Sequence, residues 1–206
     1  MTVVLAANSL ARAFPGSPPV TALRDASLTL APGTRTAILG PSGSGKSTLL
    51  NLLGLLDTPS SGTYELMGCR TTHMSERSRD RLRRDHIGFV FQAYHVLGTR
   101  TARENLDLKM SIACVPRVQR QDLVAAALNE VGLTHRADVP ARNLSGGEKQ
   151  RLAIARAMAL SPSLLLADEP TGNLDRINAD AVLDLLARLV EVRGTAVLVI
   201  SHDPQV

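Results

Sequence analysis

The sequence predicts an α/β fold: a doubly wound sheet with a β-rich N-terminal lobe and a helical insertion. Three patterns carry this expectation. Leu164 to Ala167 is apolar at every position, Val182, Leu185, Leu186 and Leu189 then repeat at helical spacing as far as Gly194, and Ala196 to Ile200 returns to strand. Strand, helix, strand with fully apolar strands belongs to a parallel sheet covered on both faces. The first 40 residues are rich in β-formers punctuated by turns, and from about Ala93 to Asn143 the pattern changes to helices.

In chain order, Val3 to Leu5 and Ala26 to Leu30 read as strands of the lobe, with turns at Gly16 to Pro19 and Pro32-Gly33. Arg35 to Leu39 follows as a buried strand, and Lys46 to Leu55 turns helical. Pro59 to Gly62 forms a turn before a strand at Thr63 to Met67, and Ile87 to Phe91 is a further strand. In the insertion, Leu123, Val124, Ala127, Leu128 and Val131 form one apolar stripe that stops at Gly132.

A chain of 206 residues suits one compact domain or a domain with an insertion. Hydrophobic residues at 44% and charged residues at 20% are ordinary for a globular protein. Aromatics are 2% with no Trp, so the core is aliphatic and stacking platforms for single-stranded bases are not expected. The net charge of +4 fits a protein handling anionic phosphates without deciding between nucleotide, nucleic acid and lipid headgroup. Cys69 and Cys114 lack metal-ligand spacing and fit a reduced cytosolic setting. No apolar run approaches the roughly 18 residues of a membrane span, so membrane association is expected through a partner.

Gly40, Pro41, Ser42, Gly43, Ser44, Gly45, Lys46 and Ser47 match the eight-position phosphate-loop pattern, between a strand and a helix and followed by Thr48. The glycines let successive N–H groups turn inward, and the helix N-terminus adds a positive field where an anion sits. Lys46 is expected to reach the β and γ phosphates of a nucleotide, and the Ser47 hydroxyl to take one position on Mg²⁺. This loop alone permits GTPases, kinases and many ATPases.

Asp168 and Glu169 emerge at the carboxyl end of the Leu164 strand, where open α/β sheets place their ligands. Asp168 can hold the Mg²⁺ shell and Glu169 can polarise the attacking water as general base. His202, in Ser201-His202-Asp203, also follows a strand; beside a γ-phosphate its imidazole could hydrogen-bond the phosphate and hold the water in line. Ser145 and Glu148 have capping-box spacing at the start of a second helix, but the box does not explain Gly146 and Gly147, which permit close backbone approach to a ligand. One chain then carries two helix starts suited to the same phosphate, and a dimer sharing each nucleotide is the simplest solution.

In this order the motifs resemble the nucleotide-binding domain of ABC proteins over nearly the whole chain, a P-loop NTPase core of the ABC ATPase type. Gly40 to Ser47 looks like the Walker A loop, Gln92 the Q-loop glutamine beside the metal, and Leu144 to Glu148 the signature motif. Leu164 to Glu169 resembles the Walker B strand with its catalytic glutamate, Leu174-Asp175 the D-loop, and His202 the switch histidine. Phe14 falls where the family stacks an aromatic on adenine. The resemblance implies ATP and Mg²⁺ as ligands, and a nucleotide-binding core of 1–92 and 143–206 with the insertion at 93–142. It also implies a head-to-tail homodimer, or a paired ATP-binding subunit, acting on an integral membrane permease at the cytoplasmic face of the membrane.

Asn51 to Asp57, Ile87 to Gln92 and Thr101 to Leu106 look most like the bacterial lipoprotein-releasing and macrolide-export branch. Two departures stand out: four residues follow His202 where the family continues for another strand and helix, and Glu148 replaces a frequent Gln. Alternatives are an ATP-dependent regulator of a cell-envelope membrane protein, or a soluble ABC ATPase outside transport. Arg77, Arg79, Arg81, Arg83 and Arg84, interspersed with Glu76, Asp80 and Asp85, read as a solvated helical face laced with ion pairs, with acidic headgroups or a partner as the sharper alternative. No pattern points to nucleic acid.

Overall fold

A computed structural model describes residues 3–202, so Asp203 lies outside the described residues. Two four-stranded sheets organise the described residues. The first is antiparallel, in the order β2 (Val20–Leu30), β1 (Leu5–Phe14), β4 (Ser61–Leu66), β5 (Cys69–Arg70). The second is parallel, in the order β3 (Arg35–Leu39), β8 (Ala196–Ser201), β7 (Leu164–Asp168), β6 (Ile87–Phe91). The β-rich lobe and the parallel core are therefore separate sheets, and β4 returns to pair with β1.

Alternation along β7 and β8 explains why these strands read as apolar at every position. Leu164, Leu166, Ala196, Leu198 and Ile200 pack toward the lobe and α1 (Lys46–Leu53), while Leu165, Ala167, Val197 and Val199 face the opposite way. The opposite layer comprises α3 (Ala102–Ile112), α4 (Arg117–Glu130), α5 (Gly146–Met158) and α6 (Arg176–Arg193). Both faces are dry, as a parallel sheet requires.

Several expectations shift in detail. The first strand starts at Leu5 and runs to Phe14, because Leu5, Ala7 and Leu10 all point into the lobe core. Strand β3 is not buried. It pairs only with β8 among the described residues, alternates between exposed and half-buried, and leaves Leu39 half exposed. Helix α1 ends at Leu53 rather than Leu55, since Gly54 caps it and Leu55 adopts φ +57°. The strand expected at Thr63 to Met67 occupies Ser61–Leu66, with Met67 in a left-handed turn. In α4 the buried stripe is Val124, Ala127, Leu128 and Val131, and Leu123 lies outside it, exposed on the flank of the helix.

The arginine segment forms α2 (Glu76–His86), but not all of it is a solvated face. Arg83 pairs with Asp80 at 2.6 Å, whereas Arg84 pairs with its neighbour Asp85. Arg79 donates to the carbonyls of Leu55 and Asp57, and Arg83 to that of Leu55. These two guanidinium groups satisfy carbonyls of the loop that follows α1.

Candidate active site

The register of the parallel sheet builds the site. Leu39 lies opposite Ser201, Ile200 opposite Asp168, and Asp168 opposite Phe91. The four strands end nearly level, so the residues that follow them, Gly40, His202, Glu169 and Gln92, leave from one edge. A cleft of about 920 Å³ opens there, lined by Pro41 to Gly43, Gly45 to Thr48, Gln92, Asp168, Glu169 and His202, with Val20 to Ala22 from the lobe. Residues as far apart in the chain as Pro41 and His202 thus converge as the motifs required.

The loop geometry fits an anion. Gly43 and Gly45 have φ +80° and +88°, and a Cβ on Gly45 would stand 2.5 Å from the Ala22 carbonyl oxygen, so both the fold of the loop and its seat on β2 require glycine. Gly45 is the N-cap of α1 and makes no side-chain cap bond, which leaves the first N–H groups of the helix facing the cleft mouth. Lys46 curls over the loop and donates to the carbonyls of Gly40 and Pro41, each at 2.7 Å. Gly40 and Ser44 shape the loop from behind, since neither lines the cleft.

The two carboxylates differ in surroundings. Burial, and secondly the adjacent Glu169 charge, push the Asp168 carboxyl above the ordinary carboxylate range, while Lys46 pulls it down. Glu169 sits at φ +47° and is held by three bonds: Oε1 accepts from the His202 backbone N–H at 2.9 Å and meets His202 Nδ1 at 2.7 Å, and Oε2 accepts from Ser201 Oγ at 3.0 Å. His202 therefore partners the carboxylate. With Nδ1–H donating to Glu169, a neutral imidazole has only an acceptor at Nε2, so donation to a phosphate needs the imidazolium or a release of Glu169.

The remaining site residues stand elsewhere. Phe14 is exposed and does not line the cleft; its ring carries the Arg12 guanidinium 4.6 Å from the centroid, and its cross-strand partner Val20 lines the cleft instead. Ser145, Gly146, Gly147 and Glu148 open α5 away from the cleft lining, with a complete capping box, and Glu148 also pairs with Arg136 at 2.9 Å. Asp175 caps α6 through Asn178. The two glycines of α5 have neighbours in their own chain: a Cβ on Gly147 would collide with the Asn178 amide, and one on Gly146 would meet the Tyr94 hydroxyl at 3.0 Å. Close packing inside the chain thus explains Gly147 without any ligand.

Sequence reading missed three groups. Ser201 reaches Glu169, Asn173 bonds Gln92, and Gln150, fully buried on α5, donates through Nε2 to the Pro170 carbonyl at 2.5 Å. Gln150 and Asn173 bind backbone carbonyls, which leave no trace in spacing. Ser201 was legible as a neighbour of His202, but only the sheet register places it on Glu169.

Comparison with known proteins follows the same lines. The profile of the family described as ABC transporter matches residues 23–172. The lipoprotein-releasing system ATP-binding protein LolD 1 of Caulobacter vibrioides is 44% identical over 98% of this chain and 88% of its own length. The macrolide export ATP-binding/permease protein MacB of Salmonella choleraesuis is 42% identical over 99% of this chain, which spans only 32% of that relative. The dimeric cassette MJ0796, in a post-hydrolysis state bound to ADP and Pi, superposes with a TM-score of 0.87 at 34% identity, covering 98% of this chain and 89% of the other. With its strand-end cleft, phosphate loop and acidic pair, this chain belongs to the ABC transporter family, as an ATP-hydrolysing cassette.

Proposed function

We propose that this cassette is the motor of a transport complex of the lipoprotein-release or macrolide-export kind, working as a head-to-tail dimer on an integral membrane permease at the cytoplasmic face of the membrane. The observation that carries the dimer is the separation of two anion-suited helix starts: α1 opens into the cleft, and α5 opens away from its lining. A second chain, turned end to end, would bring its own α5 to the phosphate that α1 holds.

Within one site, the N–H groups of the loop and Lys46 hold the phosphates, and Glu169 accepts the proton of the water that attacks the γ phosphorus as its bond to ADP breaks. Ser201 and His202 fix the carboxylate for that transfer. Ser47, Asp168 and Gln92 are the groups that would hold Mg²⁺, which supplies charge neutralisation between the phosphates. Their chemistry fits. The raised Asp168 carboxyl, crowded by Glu169, gains from a cation, and no cluster of three His, Cys, Asp or Glu exists among the described residues, so the ion would share its shell with phosphate and water.

The permease surface lies beside Gln92. A second cleft of about 670 Å³ has an apolar floor including Phe89 and Phe91, exposed Leu56 and Ile112 at its margin, and a rim of arginines from α2. The Lys109 ammonium stands in it without a hydrogen bond or ion pair among the described residues; burial, then Arg156 and Arg84, press it below the ordinary lysine range. A carboxylate from a partner would relieve that. Photo-cross-linkers at Tyr94 to Leu97, the segment Arg156 anchors by donating to the Tyr94 and His95 carbonyls, should capture an integral membrane protein in native membranes. Capture of soluble proteins or RNA alone would sink the transport reading.

A further inference from the structure

Gln92 is clasped from two sides. Its backbone carbonyl accepts from Asn173 Nδ2 at 2.9 Å, and its own Nε2 donates to Asn173 Oδ1 at 3.3 Å. The orientation of the Asn173 amide is fixed by chemistry, since a carbonyl only accepts and must therefore face the NH₂ group. Beneath the side chain lies Gly172, where a Cβ would stand 3.0 Å from Gln92 Nε2 and 3.4 Å from Cδ. Only a residue without a side chain leaves that seat open.

The same turn holds the other end of the chemistry. Gly172 N–H donates to the Glu169 carbonyl at 3.1 Å, and Leu174 N–H to the Thr171 carbonyl at 3.0 Å, so residues 169 to 174 form one hydrogen-bonded turn. Glu169 stands at its start and Asn173 near its end. On the far side, Gln92 is the last residue before segment 93–97, whose carbonyls at Tyr94 and His95 are tied to α5 by Arg156.

We propose that Asn173 is a positioning residue for ATP hydrolysis: it clasps Gln92 over Gly172 and holds its side chain in fixed register with Glu169. This rests on the reading of Gln92 as a group of the nucleotide site. Asn173 does not line the cleft; it acts through Gln92.

The test compares Asn173→Ala and Gly172→Ala, each alone and combined with Gln92→Ala, in the full chain. Asn173→Ala removes the clasp and Gly172→Ala lifts Gln92 from its seat while leaving Asn173 in place, so both should lower kcat about tenfold with KM for ATP changed less than about threefold. Thermal midpoints should stay near wild type, because both residues are exposed. Added to Gln92→Ala, Asn173→Ala should cost less than about a further twofold, as expected when two residues act through one contact. The side-chain amide resonance of Gln92, identified by its loss in Gln92→Ala, should move in both single variants without any nucleotide present. Asn173→Asp should not rescue, since its second oxygen faces the Gln92 carbonyl. Effects that multiply in the double variant, or an unmoved amide resonance, overturn the clasp while leaving the ATPase intact. An unchanged kcat in Gln92→Ala removes the role of Gln92, and with it the role of Asn173 in hydrolysis.

Discussion

Replacing Glu169 with Gln tests the assignment of the base, and the structure fixes what that change removes. The Gln oxygen can still accept from the His202 N–H, and its NH₂ can face the Ser201 hydroxyl, which accepts as readily as it donates. Shape, the backbone contacts and the Nδ1–H bond to that oxygen survive; proton affinity and the negative charge do not. The contact involves an imidazole whose side chain is 67% exposed, so its weakening costs less than about 1 kcal/mol of stability. Loss of a positioned general base slows the chemical step by roughly 10²–10⁴, which is about 3–5 kcal/mol of barrier. The two magnitudes are well separated, so a drop in turnover cannot be assigned to unfolding. Phosphate release at saturating ATP should fall by at least about a hundredfold while ATP stays bound to an intact dimer on gel filtration. Wild-type turnover in this variant would mean that the Glu169 carboxylate takes no proton in the rate-limiting step.

Lys46→Ala should abolish hydrolysis and weaken ATP binding with the fold preserved, because the loop carbonyls of Gly40 and Pro41 lose a donor that nucleotide phosphates would claim; unchanged turnover would remove the phosphate-loop assignment. Glu148 is held below its ordinary value of 4.5 chiefly by the Ser145 N–H, with Arg136 adding to it. A depressed carboxyl stabilises the fold above its unfolded value and loses that contribution as pH falls through the folded value. Urea unfolding should therefore show wild type losing its advantage over Glu148→Gln below about pH 4.5, and a constant difference would contradict the ion-paired cap. Arg193 joins three helices, pairing with Glu130 at 2.7 Å and donating to the Met158 carbonyl at 2.9 Å; Arg193→Ala should cost about 1–3 kcal/mol in urea unfolding, and a loss under about 0.5 would contradict that bridge.

The site was more legible than the fold around it, and the reason is where the information lies. Gly40 to Ser47, Asp168, Glu169 and His202 are set by chemistry at fixed offsets from strand ends, so spacing alone finds them. The edge position of β3 is set by which strand pairs with which, and Arg35 to Leu39 carries the same aliphatic pattern whether it has one partner or two. Ala26 to Leu30 likewise understates β2, because Val20 to Asp25 is mostly exposed on an edge strand and lacks the buried alternation that reading depends on. Phe14 shows the converse limit: the family pattern supplies an aromatic, while the register of β1 on β2 sets Val20 opposite it, and of the two Val20 lines the cleft.

The double glycine at the start of α5 decides how the shared-site proposal must be tested. A carboxylate at Gly147 would repel a γ-phosphate from the signature face, yet any Cβ there collides with the Asn178 amide, and Asn178 completes the cap that Asp175 makes on α6. Such a variant would fail within its own chain whether or not nucleotides are shared. Gly146 is the better site. Its nearest obstacle is the hydroxyl end of the Tyr94 side chain at 3.0 Å, which can swing aside, and an acidic residue in the first turn complements the helix dipole. Consider, then, a Lys46→Ala chain mixed with a Gly146→Asp chain, both carrying Glu169→Gln so that bound ATP persists. Each homodimer has two damaged sites. In a head-to-tail heterodimer both lesions fall on one nucleotide, and the other meets an intact Lys46 from one chain and an intact Gly146 from its partner. Trapped ATP should approach one per heterodimer and stay far lower in either parent. If heterodimers form and trap no more than the parents, α5 serves the cleft of its own chain and the dimer does not share its nucleotides.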